Sequence, residues 1–325
     1  MKIIVDAMGG DNAPKEIVKG SMMAAQRLGV NIILTGDKSE IEKHLTNHEN
    51  IEIVHTKEVI ANEDDPVGSI RSKTDSSMVV GLKILAEGMG DAFVCAGNTG
   101  ALITGTTLIV KRIKGIRRVA MAPIIPAEGG SVILIDGGAN VDCSPELLEQ
   151  FALMGSIYAQ AVLGVENPRV GLLNNGTEEH KGNEATQSAY RLISQLPVNF
   201  IGNVEGRDVL YGMADVLVAD GFTGNVFLKA IEGTALYFSK NLKDMLMKNI
   251  LTKISALILK GGISEFKKKF DYNEHGGAPV LGAKGAVIKA HGSSNALAFY
   301  NAIRQAKKFH EANAINSITN LIKST

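Results

Sequence analysis

A chain of 325 residues exceeds the roughly 100–200 usual for one domain, and its 45% hydrophobic and 21% charged residues are an ordinary globular balance. Lysine plus arginine equals aspartate plus glutamate at 34 each, which argues against bulk affinity for nucleic acid. The two cysteines, Cys95 and Cys143, are too few for a disulfide framework or a metal cluster and fit a reducing cytosol.

From the amino end, Lys2–Asp6 reads as a strand that begins at once and leaves no room for a signal peptide. No run approaches the roughly eighteen apolar residues of a membrane span, so a cytoplasmic protein, at most peripheral to a membrane, is expected. The strand enters Ala7-Met8-Gly9-Gly10-Asp11-Asn12-Ala13-Pro14, where Asn12 is placed to cap and Pro14 sits early in a helix ending at Gly29. Strands at Asn31–Thr35 and Ile51–Thr56, with a helix between them, extend the alternation of a parallel sheet. Residues 61–74 read as a long polar connection, with Arg71 and Lys73 as candidate anion contacts on a surface loop.

Ala92–Cys95 reads as a strand leading through Ala96-Gly97-Asn98-Thr99-Gly100-Ala101 into a helix that runs to about Arg112. Val119–Ile125 and Ser131–Ile135 read as strands joined by a hairpin or a wider turn, the second feeding Asp136-Gly137-Gly138-Ala139-Asn140 and a helix with Pro145 near its start. Arg169–Leu173 enters Asn174-Asn175-Gly176-Thr177-Glu178-Glu179-His180-Lys181-Gly182, ahead of a helix over 185–196 that Thr177 or Asn183 is placed to cap. A solvated, capped loop is the plain alternative to a site there. Val216–Ala219 enters Asp220-Gly221-Phe222-Thr223-Gly224-Asn225, and Ala286–Ala290 enters His291-Gly292-Ser293-Ser294, each before a helix. A last helix is expected beyond Glu311.

Six polar loops thus follow six strands and precede six helices. The pattern predicts an α/β fold, a largely parallel sheet with helices on both faces, in one domain over 1–325 with no clear linker. In one parallel sheet all six loops share an edge, and helix amino ends gathered there favour phosphate or another oxyanion.

Residues 236–270 carry eight lysines against Asp244 and Glu265, a net +6 in a chain of net zero. Ile250, Leu251, Ile254, Leu257 and Ile258 fall on one helical face with lysines opposite. Composition alone favours an ordinary core helix, with docking of an acidic partner or contact with an anionic membrane as alternatives.

No phosphate-binding G-x-x-x-x-G-K-[ST] loop, G-x-G-x-x-G fingerprint, G-x-S-x-G elbow or H-E-x-x-H pair occurs, and His180, His275 and His291 are too scattered to suggest a metal site. Acyl or phosphoryl transfer to or from inorganic phosphate fits what remains, because phosphate itself attacks and no protein nucleophile is required.

With the loops after Val5, Cys95, Gly137, Leu173 and Ala219 in view, the chain resembles the phosphate acyltransferases of bacterial phospholipid synthesis, from Met1 to about Lys307. Gly276–Gly282 and His291–Ser294 also resemble family segments, while Gly137 departs from the β-branched residue expected before Gly138. The resemblance implies a three-layer Rossmann-like fold similar to phosphotransacetylases and isopropylmalate dehydrogenases, with an amphipathic helical protrusion over residues 236–275. It implies transfer of a long-chain fatty acyl group from acyl–acyl carrier protein to phosphate, giving acyl phosphate for glycerol-3-phosphate acylation, with no redox cofactor. It further implies a homodimer, peripheral association with the inner face of the cell membrane, and the downstream glycerol-3-phosphate acyltransferase as a further partner. Membrane contact then falls on Ile250, Leu251, Ile254, Leu257 and Ile258, which reverses the preference for a core helix.

The expected catalytic residues are Lys181 and Asn225, with His180 assisting or orienting its neighbour. The expected phosphate and substrate contacts are Asp6, Gly9, Gly10, Asp11, Asn98, Thr99, Gly100, Asn140, Asn174, Asn175, Thr223 and Gly224. Two other classes stay open: an enzyme using coenzyme A thioesters, and a non-catalytic adaptor for carrier protein or membrane.

Overall fold

The structure is a computed structural model that describes residues 1–262 and 276–324. It holds two sheets. The first, in the order β3-β2-β1-β4-β12-β11-β5, contains β1 (Lys2–Asp6), β2 (Asn31–Gly36), β3 (Ile51–His55), β4 (Ala92–Cys95), β5 (Ala120–Met121), β11 (Ala278–Leu281) and β12 (Ala286–Lys289). The second, β6-β7-β10-β8-β9, contains β6 (Ile124–Ala127), β7 (Gly130–Ile135), β8 (Arg169–Asn174), β9 (Asn199–Glu205) and β10 (Val216–Val218). Neighbouring strands run parallel except where β11 meets β12 and β5, and where β6 meets β7. The runs Ile3-Ile4-Val5 and Ile32-Ile33-Leu34 are buried on both faces, as strands covered by helices on either side must be.

The expected strand Val119–Ile125 is in fact the crossing between sheets. Proline lacks the N–H a continuous ladder needs, and at Pro123 the chain leaves β5 in the first sheet and enters β6 in the second. β6 and β7 then form a hairpin in which Ala127 pairs with Gly130. One buried cluster unites Val5, Val94 and Ile288 of the first sheet with Ile135, Val170 and Val216 of the second, so the sheets share a core. Helix α6 (Pro145–Leu163) packs on β7 and β10, and the helix Ala296–Glu311 packs on β12 and β4. Their buried rings Tyr158 and Phe309 meet edge to face at 5.3 Å, and Gln305 donates to the Tyr158 hydroxyl at 2.6 Å. Burying each ring is worth about 1.5–3 kcal/mol.

Two local expectations are corrected. Residues 61–74 are not all loop, because Asp65 accepts from the Gly68 N–H and Pro66 occupies the first turn of α3 (Pro66–Ser72). Asn12 does not cap α1 (Lys15–Leu28) with its side chain, which donates instead to the carbonyls of Ser293 and Ser294. The topology also corrects the single edge: the loops after β1, β4 and β12 share one edge, while those after β7, β10 and β8 share another.

Helix α8 (Gly221–Leu246) leads to α9 (Ile250–Ile258), which has no buried residue, and this removes the core reading for the isolated chain. Ile250, Leu251, Leu257 and Ile258 are 76%, 74%, 72% and 80% exposed, and Ile254 is exposed as well. Residues 263–275 of the expected protrusion lie outside the described residues. Among the described residues no helix is long and apolar enough to cross a membrane.

Candidate active site

The second sheet delivers Asp136 and α8 to the site. Asp136 is fully buried, and its carboxylate accepts from the backbone N–H groups of Met121, Gly138, Ala139 and Asn140 and from the Asn140 side chain. Burial raises its pKa against those bonds. Asn140 also donates to the Val119 carbonyl at 2.8 Å, so its amide is spent on holding this loop. Asp220 caps α8 through the Thr223 N–H and takes the Thr223 hydroxyl too. Gly224 brings α8 against the Asp136 carbonyl so closely that a Cβ there would stand 2.0 Å from its oxygen. One residue on, Asn225 Nδ2 donates to the Gly137 carbonyl at 3.1 Å. A Cβ at Gly137 would stand 2.5 Å from the Pro123 ring, so the sheet-switching proline occupies the space of the β-branched side chain expected there.

The first sheet brings its own three loops together. A Cβ at Gly9 would lie 2.8 Å from the Gly97 nitrogen, and one at Gly10, where φ is +106°, would lie 3.0 Å from the Gly292 carbonyl oxygen. The Asp11 N–H donates to that same carbonyl. These glycines are required because backbone packs on backbone. Asn98 caps α5 (Thr99–Gly105) through the Ala101 N–H, while its Nδ2 lies within hydrogen-bond reach of the Ala61, Asn62 and Asp64 carbonyls. Gly100 gives Pro66 room, a Cβ there standing 2.7 Å from its ring.

Between the two edges lies a cleft of about 790 Å³. Its polar wall holds Thr99, Asn225, Lys229, Lys289, His291 and Ser294. Its apolar wall runs through Ile124 and Ile125 on β6 and Phe222, Leu228, Ile231 and Leu236 on α8. Lys229 is paired with Glu232 at 2.7 Å. Burial, and then the Lys229 charge, hold His291 below its ordinary pKa. The Ser293 N–H donates to His291 Nδ1 at 3.2 Å, so the neutral ring carries its proton on Nε2. Neither cysteine is activated: burial raises Cys95 well above the ordinary thiol range and pushes Cys143 up to about 12.

Of the residues expected from sequence, Thr99 and Asn225 line this cleft. Asp6, Gly9, Gly10, Asp11, Asn98, Gly100, Asn140, Thr223 and Gly224 belong to the loops that shape it but are absent from its wall. The segment with Asn174, Asn175, His180 and Lys181 follows β8, next to β10 on the same sheet edge, and is also absent from the wall. There Asn174 donates to the Lys181 carbonyl and to Asn203, Gln187 donates to the His180 carbonyl, and Asn183 caps α7 (Glu184–Ile193).

A family model described as "Fatty acid synthesis protein" matches residues 1–317. The phosphate acyltransferase of Thermoanaerobacterium thermosaccharolyticum is 52% identical, over 98% of this chain and 96% of that one. The chain belongs to the phosphate acyltransferase family. That of Clostridium acetobutylicum is 51% identical over 98% of both chains. Among solved structures, a phosphotransacetylase from Streptococcus pyogenes superposes with a TM-score of 0.65 over 97% of this chain and 94% of that one, at 14% identity. The EutD phosphotransacetylase from Staphylococcus aureus gives 0.59 over 96% and 94%, at 16%. At those identities the likeness concerns the fold alone, and it places this member of the phosphate acyltransferase family in the expected three-layer α/β class.

Reading the sequence missed Lys229, Lys289 and His291 as site residues of this family member. For Lys289 a signal was present: it is the one charged residue in the otherwise apolar strand Ala286-Val287-Ile288-Lys289.

Proposed function

We propose that this member of the phosphate acyltransferase family transfers a long-chain fatty acyl group from acyl–acyl carrier protein to inorganic phosphate. A phosphate oxygen attacks the thioester carbon, the carbon–sulfur bond breaks, and the thiolate leaves with the carrier protein and takes up a proton. Acyl phosphate is the product, and glycerol-3-phosphate acylation consumes it. The observation that carries the reading is a single cleft with a polar, cationic wall beside an apolar lane along α8, as an anionic nucleophile and a fatty chain require. The raised pKa values of the buried Cys95 and half-buried Cys143 thiols agree with attack by phosphate itself.

In this reaction Asn225 donates to the oxyanion of the tetrahedral intermediate, and Lys181, with His180 beside it, assists from the neighbouring loop. The exposed apolar face of α9 meets the inner face of the cell membrane, lysines of the same basic segment add attraction to anionic lipid, and the chain works as a homodimer. Acyl phosphate formed from long-chain acyl–carrier protein plus phosphate tests the reading. Thioester loss that ignores phosphate refutes it, and a preference for acyl-coenzyme A over acyl–carrier protein under equal conditions moves the donor to the other thioester class.

A further inference from the structure

Two lysines line the cleft, and among the described residues only one is in an ion pair. Lys229 spends its charge on Glu232, whereas Lys289 forms no ion pair within 4.0 Å among the described residues. Lys289 is nonetheless only 9% exposed. A buried ammonium without a carboxylate is costly and is tolerated where something else supplies the negative charge.

The register places the Asp6 carboxylate two strands away from Lys289. Lys289 on β12 pairs with Cys95 on β4, and β4 runs beside β1, whose Asp6 approaches the Cys95 sulfur at 3.1 Å. The thiol therefore stands between carboxylate and ammonium. Two of the three ammonium N–H groups are accounted for by the Ala96 carbonyl at 3.1 Å and the Ala290 carbonyl at 2.5 Å. Both carbonyls belong to the loops that leave β4 and β12 into the cleft, so the fold holds the ammonium at its wall with one donor unspent among the described residues.

We infer that Lys289 is the residue that binds the attacking phosphate, its third N–H and its uncompensated charge completed by the oxyanion. The assignment rests on the phosphate reading above and puts a compensating cation for the nucleophile at the end of β12. Lys289 does not transfer a proton or form a bond to the acyl group: it positions the nucleophile and offsets its charge. Burial lowers the Lys289 pKa against the pull of the Asp11 and Asp6 carboxylates, so its hold on phosphate weakens at a lower pH than that of a solvated lysine.

The test uses the full chain with Lys289→Met and Lys289→Gln. Methionine keeps the volume, and glutamine retains N–H donors for the Ala96 and Ala290 carbonyls while removing the charge. Thermal melting confirms that each variant folds. Calorimetric titration with inorganic phosphate alone, and KM for phosphate during thioester consumption, are then measured. Both variants are expected to lose phosphate affinity by about 10- to 100-fold, the worth of one charge-assisted hydrogen bond, with KM for the acyl donor changed less than about twofold. The rise of the phosphate KM with pH in the parent should vanish in both. Folded variants that keep the parent's phosphate affinity overturn the assignment even if acyl transfer is established. Phosphate binding that depends on Lys289 in a protein unable to form acyl phosphate sustains the site and overturns the reaction instead.

Discussion

The side-chain nitrogen of Asn225 donates to the carbonyl of Gly137 at 3.1 Å, joining the amino-terminal part of α8 to the loop that leaves β7. A carbonyl accepts only from a donor, so the bond sets the amide with its nitrogen toward Gly137 and leaves a second N–H for a ligand in the cleft. In the proposed reaction that group serves the developing oxyanion. Asn225→Ala should lower kcat by roughly two to three powers of ten with little change in thermal midpoint. Turnover at the parent rate in a folded variant would remove Asn225 from the chemistry.

The buried Asp136 carboxylate organises the same loop by accepting five hydrogen bonds, all from N–H groups. Asp136→Asn turns one acceptor oxygen into a donor that faces other donors. Because hydrogen bonds to a charged group contribute about 1.5–3 kcal/mol each, urea unfolding should show a loss of at least about 3 kcal/mol. A variant as stable as the parent would mean that the loop repacks without its carboxylate.

His291 is held below its ordinary pKa of 6.5, first by burial and then by Lys229, so the ring is neutral at pH 7. Both effects disfavour the protonated form. Removing the positive neighbour with Lys229→Gln must therefore raise the His291 pKa, so that protonation persists to higher pH. An NMR titration of the imidazole in parent and variant reads this directly, and an unchanged or lower value contradicts the assignment of Lys229 as a cause.

The apolar lane along α8 predicts a control of chain length. Ile231→Trp adds a ring where the cleft is lined by Ile231 and Leu228. The kcat/KM ratio of long to short acyl donors should fall about tenfold, since each methylene excluded from such a pocket is worth roughly 1–3 kcal/mol. An unaltered ratio would place the chain elsewhere.

The exposed face of α9 predicts weak, salt-sensitive binding to vesicles containing anionic phospholipid. Leu257→Asp and Ile258→Asp should each reduce cosedimentation about tenfold or more, while activity on soluble donor persists. Retained binding in both variants would assign the apolar face to a protein contact.

Much of this was legible in sequence because it is local chemistry. Asn183 caps its helix where its short polar side chain precedes apolar periodicity, and Gly29, at φ +62°, ends α1 where only a residue tolerant of the left-handed conformation fits. The α9 face was visible too, but not its exposure: burial depends on what packs against a helix, and nothing in Ile250–Ile258 encodes that.

By itself the sequence determined the succession of strands, polar loops and helices, the absence of an activated nucleophile motif and the family. Those depend on neighbours within a few residues, or on motifs read in order. Only the tertiary structure decided that Pro123 sends the chain from one sheet into a second, which sets the two loop edges against each other across a cleft. Only it brought Asp6, Cys95 and Lys289 into one row and so left a buried ammonium with no ion pair among the described residues. Strand pairing joins positions almost two hundred residues apart in the case of Cys95 and Lys289, and the electrostatics of a lysine follow from those cross-strand neighbours rather than from the residues beside it in the chain.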